Sequence, residues 1–180
     1  KRQLVKEING LEGGLQSVPE FGYRDGFAWA ETVAFDIPHD WQSGVYIASF
    51  ATGQGMREIL FVVRPDQPSA PILLTIEANT YAAYNPVGGK CFFPYLSTAR
   101  EHCELVSFER PLQPDFMGGF YAWDQFFTSW LDAEAYEVDY ATNADHDAEP
   151  DLLASYKANL RIGHDEYNTR GECEQLQQFV

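Results

Sequence analysis

At 180 residues, 20.4 kDa and 45% hydrophobic content, the chain can bury one sizeable core and is not a disordered tail. Its formal net charge is −15, from 12 Lys and Arg against 27 Asp and Glu, and such a surface repels phosphate backbones and anionic lipids. With no run of about 18 apolar residues, no transmembrane helix is expected, and neither nucleic acid nor a membrane is an expected partner.

The first 38 residues, with Gly-Gly, Pro and isolated aromatics, read as loop carrying short strands at Phe27–Trp29 and Thr32–Ile37. Gly44–Phe50 alternates as a strand, with Val45, Ile47 and Ser49 on one face and Tyr46, Ala48 and Phe50 on the other; Trp41 before it reads as core. After a Gly53-Gln54-Gly55 turn comes a second strand, Glu58–Arg64, closed by Pro65, so an antiparallel hairpin is expected. The stretch from Arg64-Pro65 to Pro71 divides the chain into an N-terminal segment, 1–64, and an α/β domain, 65–180.

Pro71–Glu77 is a continuous apolar run, as a strand buried on both faces requires, and it leads into the polar string Asn79–Asn85. Phe120–Ala133 carries apolar residues at helical steps; Tyr136–Tyr140 reads as a strand, Asp151–Tyr156 as a short helix, Lys157–Ile162 as a strand and Thr169–Val180 as a helix. Asn143–Asp147 lacks the Gly and terminal Glu of a calcium loop and reads as solvated loop. Strands alternating with helices predict βαβ units and a parallel sheet, whose ligands sit beyond the carboxyl ends of the strands.

Two polar strings occupy that position. Gly163-His164-Asp165-Glu166-Tyr167 places three titratable groups in one loop; either Asp165 caps the next helix with His164 packed beneath it, or the pair of His and carboxylate serves as general acid and base. Asn79-Thr80-Tyr81-Ala82-Ala83-Tyr84-Asn85 sets two tyrosines and two amides after the buried strand. Cys91, Cys103 and Cys173 have no CxxC spacing and read as reduced thiols, which suits a cytoplasmic protein. The four histidines are scattered, so a metal here needs oxygen ligands.

Four strings in order, Trp41–Tyr46, Asn79–Lys90, Val106–Pro111 and Gly163–Tyr167, resemble the catalytic C-terminal domain of the N,N-dimethylformamidase large (beta) subunit and its relatives, from about Trp41 onward. The resemblance implies a glutamine-amidotransferase-like, flavodoxin-like parallel sheet without a cysteine nucleophile, and a chain truncated within the domain at its C-terminus. It implies a mononuclear non-haem Fe(III) held by Tyr46, Tyr84 and Glu166, with Tyr84 preferred to Tyr81, and His164 beside it for proton transfer. It further implies hydrolysis of a small N-substituted amide to acid and amine, in a homo-oligomer or with a small partner subunit. Asn168 stands where relatives commonly have Trp, and Cys91-Phe92-Phe93 replaces a Ser-Leu-Tyr-like string, so the substrate pocket is expected to differ. The alternative is a non-catalytic amidotransferase-like domain for ligand binding or assembly.

Overall fold

The computed structural model describes residues 3–53, 55–113 and 119–180. Lys1, Arg2 and Gln54 of the expected turn lie outside them. Within them the chain folds as a two-stranded antiparallel hairpin set against a three-stranded parallel sheet. The hairpin consists of β1, Gly44–Thr52, and β2, Gly55–Val63, paired from Gly44 with Val63 to Thr52 with Gly55. The parallel strands are β3, Ile72–Ile76, β4, Val138–Thr142, and β5, Ala158–Arg161, in the order β4-β3-β5. Counted from β3 that is second-first-third, and the point where the connections diverge lies between β3 and β5.

The continuous apolar run forms β3, which is covered on both sides, as its composition requires. Leu73 faces Ala141, Leu152, Leu153 and Tyr156, with Leu176 and Phe179 packed behind them. Leu74 and Ile76 face Tyr81, Phe120, Leu131 and Tyr140. Val45, Ile47, Leu60 and Val62 pack against this second cluster, so the hairpin shares a core with the sheet. Its root is fixed where Ser43 Oγ accepts from Tyr140 N at 2.7 Å and donates to Val63 O at 3.1 Å.

The helices depart further from expectation. No strand forms at 27–29 or 32–37 among the described residues; only a short helix, α1 at Gly22–Asp25, precedes the hairpin. The polar string after β3 is helix α2, Ala78–Tyr84, not loop. The helix expected from Phe120 begins four residues later, as α3 at Asp124–Ala133, with Phe120 buried in the turn before it. Asn143–Asp147, read as solvated loop, is helix α4, Asn143–Ala148, with Asn143 and His146 buried. A Thr142–Asp145 capping box starts it, and His146 is sandwiched with Nε2 2.9 Å from Thr75 Oγ1 and Nδ1 2.6 Å from Gln175 Oε1. Leu152–Ser155 is a 3-10 turn, and α5 spans Arg170–Phe179. Trp41 is half-buried rather than core, and all three cysteines are free thiols.

Candidate active site

Helix α2 leaves β3 at the carboxyl edge of the sheet and lies beside the loop that follows β5. Its residues Thr80 and Tyr84 are four apart and therefore share a face. Both use it to grip that loop. Thr80 Oγ1 accepts from the backbone N–H groups of Glu166, at 3.0 Å, and Tyr167, at 3.2 Å. The Tyr84 hydroxyl donates to Glu166 Oε2 at 2.6 Å. His164 Nε2 lies 3.0 Å from the same oxygen. One carboxylate oxygen thus gathers a phenol and an imidazole, both partly open to solvent.

Tyr81 turns inward from the next face of α2. It is buried, and its hydroxyl donates to Asp124 at the start of α3. Tyr84, not Tyr81, is therefore the tyrosine brought to Glu166. Tyr46 makes its contacts elsewhere. Val45 and Ile47 take the core side of β1, so strand alternation sends Tyr46 to the other side. There its ring stacks with Trp41 at 4.8 Å and Phe61 at 5.6 Å, and its hydroxyl donates to Gln42 O at 2.8 Å. Among the described residues, the contacts of Tyr46 are thus with Gln42, Trp41 and Phe61, and none of these partners is Tyr84, His164 or Glu166.

The loop after β5 is shaped by Gly163 and Arg161. Gly163 has φ +73°, and a Cβ there would fall 2.7 Å from Trp123 Cβ, so only glycine turns the chain at this point. Arg161 donates to Asp165 Oδ2 at 2.8 Å, to Asn168 Oδ1 at 2.6 Å and to Glu172 Oε1 at 2.6 Å. Asp165 is thereby committed to Arg161; the cap of α5 is Thr169, whose side chain accepts from Glu172 N. Asn168, the departure from the resembling sequences, holds the loop by bonding both Arg161 and Asp165. His164 is exposed rather than packed under the helix.

Residues to which the sequence assigned no role hold α2. Its amino end is bound from outside, where Asn143 Oδ1 accepts from Asn79 N at 3.1 Å; Asn143 Nδ2 in turn donates to Glu172 Oε1 at 2.6 Å. Its carboxyl end is bound by Arg110, from the Val106–Pro111 string. The buried guanidinium donates to the carbonyls of Ala82 at 2.7 Å, Asn85 at 2.8 Å, Val87 at 2.8 Å and Lys90 at 3.2 Å, and its Nε to Ser107 O at 2.9 Å. Cys91, fully buried, ties the next turn together: its N–H donates to Ser97 Oγ at 3.0 Å and its carbonyl accepts from Cys103 N at 3.0 Å.

Burial first, and then the Glu166 carboxylate, raise the Tyr84 pKa, so without a cation the phenol keeps its proton. Beneath the loop, Glu77 accepts from Ile162 N at 2.9 Å. Burial first, then the charge of Asp124, push its carboxyl up to about 8. Asp124 is raised to about 6, chiefly by burial. Among the described residues, no three or more His, Cys, Asp or Glu gather as a metal site. Tyr84 Oη and Glu166 Oε2 supply two hard donors side by side, and a third has to be found beyond that pair.

Among the described residues no helix is long and apolar enough to cross a membrane. A comparison with curated proteins found no match. The model of the family described as N,N-dimethylformamidase beta subunit-like, C-terminal, matches residues 2–180, so the likeness extends well ahead of Trp41. Matched over nearly its whole length, with Tyr84 and Glu166 joined at the carboxyl edge of a parallel sheet, the chain belongs to the N,N-dimethylformamidase beta subunit-like C-terminal family.

Proposed function

We propose that this chain carries the metal-binding part of an amide C–N hydrolase that converts a small N-substituted amide to a carboxylic acid and an amine. The observation that carries this reading is the meeting of Tyr84 and His164 on Glu166 Oε2, at 2.6 and 3.0 Å, where the connections from β3 and β5 diverge. Family membership supports amide hydrolysis as the reaction type. The second-first-third strand order supports an amidotransferase-like, flavodoxin-like sheet.

The ion proposed is a mononuclear non-haem Fe(III). Phenolate and carboxylate are hard anionic donors and suit a hard trivalent cation. Tyr84 and Glu166 are its first two ligands, and Tyr46, from the hairpin, is the proposed third. Iron held there would supply Lewis acidity to an amide carbonyl and to water. The remaining work belongs to the chain. Thr80 and Gly163 fix the backbone that presents Glu166, and Glu166 holds His164 by its Nε2. An amide nitrogen leaves poorly as an anion, and the half-exposed His164 imidazole can hand it a proton. The family's description as a subunit is compatible with assembly into a homo-oligomer or with a small partner.

Metal analysis and an absorption scan of protein from iron-replete cells test the proposal, together with amine release from N-substituted amides. Iron near one per chain with a tyrosinate charge-transfer band is expected, and Glu166→Gln, Tyr84→Phe and Tyr46→Phe should each lower the iron content at least tenfold. Full iron in both Glu166→Gln and Tyr84→Phe would sink the ligand assignment. Colourless, iron-free protein that releases no amine would favour the non-catalytic ligand-binding or assembly domain.

A further inference from the structure

Two acids that the proposed chemistry does not use lie at the root of the loop after β5. Glu77 follows β3 and Asp124 opens α3, and each is 1% exposed. A buried carboxylate is costly unless a cation or several donors meet its charge. Among the described residues no cation meets these two. The groups that face them are Ile162 N, which donates to Glu77 Oε1 at 2.9 Å, and Tyr81, whose buried hydroxyl donates to Asp124 Oδ2 and keeps its proton. The third is Asp165, which is already paired with Arg161 at 2.8 Å.

The remaining contact is between the acids themselves, where the Glu77 carboxyl hydrogen-bonds that of Asp124. Among the described residues no N–H or hydroxyl donor reaches Asp124 Oδ1, which is buried. Ionised carboxylates are acceptors only, so a bond between two carboxyls requires that one of them keep its proton. Burial, and for Glu77 the charge of Asp124 after it, raise both groups, Glu77 to about 8 and Asp124 to about 6. Near pH 7 one proton therefore serves the pair.

The pair touches the loop twice. Glu77 holds Ile162 N, the first backbone donor past β5. Trp123, the residue before Asp124, packs so closely on Gly163 that a Cβ there would fall 2.7 Å from Trp123 Cβ. His164 and Glu166 follow directly. Loss of the shared proton leaves two like charges with no counter-ion between them, and the acids must part.

We propose that Glu77 and Asp124 share a single buried proton and act as positioning residues for the loop that carries His164 and Glu166, seating it while the proton is held and freeing its root once the proton is lost. The device concerns how the loop is seated and not which metal or reaction it serves, so it goes beyond the hydrolase reading and survives that reading's failure.

Carboxyl-carbon and backbone-amide chemical shifts of the full labelled chain, stripped of bound metal by a chelator, are followed from pH 5 to 10. At pH 7 the two carboxyl carbons together should report one proton, which leaves in a step centred near 8. The amides of Ile162 and Gly163 should move with that same midpoint. Glu77→Gln keeps the side-chain shape, an acceptor for Ile162 N and a donor for Asp124, and should reduce that movement at least fivefold while leaving the amides at their pH 7 positions. Asp124→Asn should do the same. Glu77→Ala, which lacks the acceptor, should displace both amides at every pH; the two isosteric variants decide the matter if it does not fold. Two ionised carboxylates at pH 7, loop amides indifferent to the titration of the pair, or a Glu77→Gln curve that follows the parent's would each overturn the proposal.

Discussion

Replacing Arg110 with Met keeps most of the side-chain stem and removes the guanidinium. Five backbone carbonyls then lose a charged donor, and among the described residues only Ala82 O retains another partner, from Asn85 N at 3.3 Å. A hydrogen bond to a charged group is worth about 1.5–3 kcal/mol net, and a stranded buried acceptor costs about 1–3 kcal/mol. These do not simply add. Asn85 is buried, but Val87, Lys90 and Ser107 are half-buried and their carbonyls regain water, while the cost of burying the guanidinium itself is relieved. About 3–4 kcal/mol of destabilisation is expected. With a urea slope of about 2 kcal/mol per molar, the unfolding midpoint should fall by roughly 1.5–2 M. Arg110→Lys should recover little, since an ammonium cannot span carbonyls laid out for a planar fork. Arg24→Met, which removes an exposed ion pair with Asp25 and a surface contact with the Phe21 ring, serves as the control and should leave the midpoint nearly in place. A midpoint for Arg110→Met within 0.3 M of the parent (roughly the error of such slopes) would refute the idea that this residue holds the end of α2.

Gly163→Ala forces a left-handed backbone and a clash with Trp123, and should cost roughly 2–4 kcal/mol by thermal melting; Gly13→Ala, in open space, should be silent. Glu77 and Asp124 titrate higher in the fold than in the unfolded chain, so the native state holds extra protons between about pH 4 and 8. Stability is therefore greatest at the acid side of that window and falls as pH rises through it, by up to about 1.4 kcal/mol per pH unit per group. Glu77→Gln should flatten the upper half of the curve in urea midpoints taken from pH 5 to 9, and an unchanged slope would contradict the assignment. Glu172→Ala takes one partner from Arg161, which keeps Asp165 and Asn168, and one from Asn143, which keeps Asn79, and should cost about 2–3 kcal/mol, read in the same unfolding assay.

Legibility in the sequence followed the range of the forces involved. The hairpin could be read because alternation and glycine at the turn act locally, and β3 because an unbroken apolar run admits few other fates. Helices α2 and α4 could not. At seven and six residues they are too short to be stable alone or to show a period, and they form because Asn143 binds the start of one and Thr75 and Gln175 clasp His146 in the other. The capping pattern Thr142-x-x-Asp145 was the one readable sign of α4. In the site, Tyr84 and Glu166 were singled out by the family resemblance rather than by residue pattern, and the structure joins them by one hydrogen bond, whereas the roles of Thr80 and Arg110, which lie in the same strings, escaped because they act on backbone atoms. The outward face of Tyr46 was already implied by the alternation of Val45 and Ile47.

Asn143, fully buried, touches the segments that follow all three parallel strands: its own after β4, Asn79 after β3 and Glu172 after β5. Such a junction makes assembly of the site and closure of the sheet a single event. Any molecule that grips Tyr84 and Glu166 must then resist unfolding of the whole sheet, and occupancy should register as a higher melting temperature for strands it never touches.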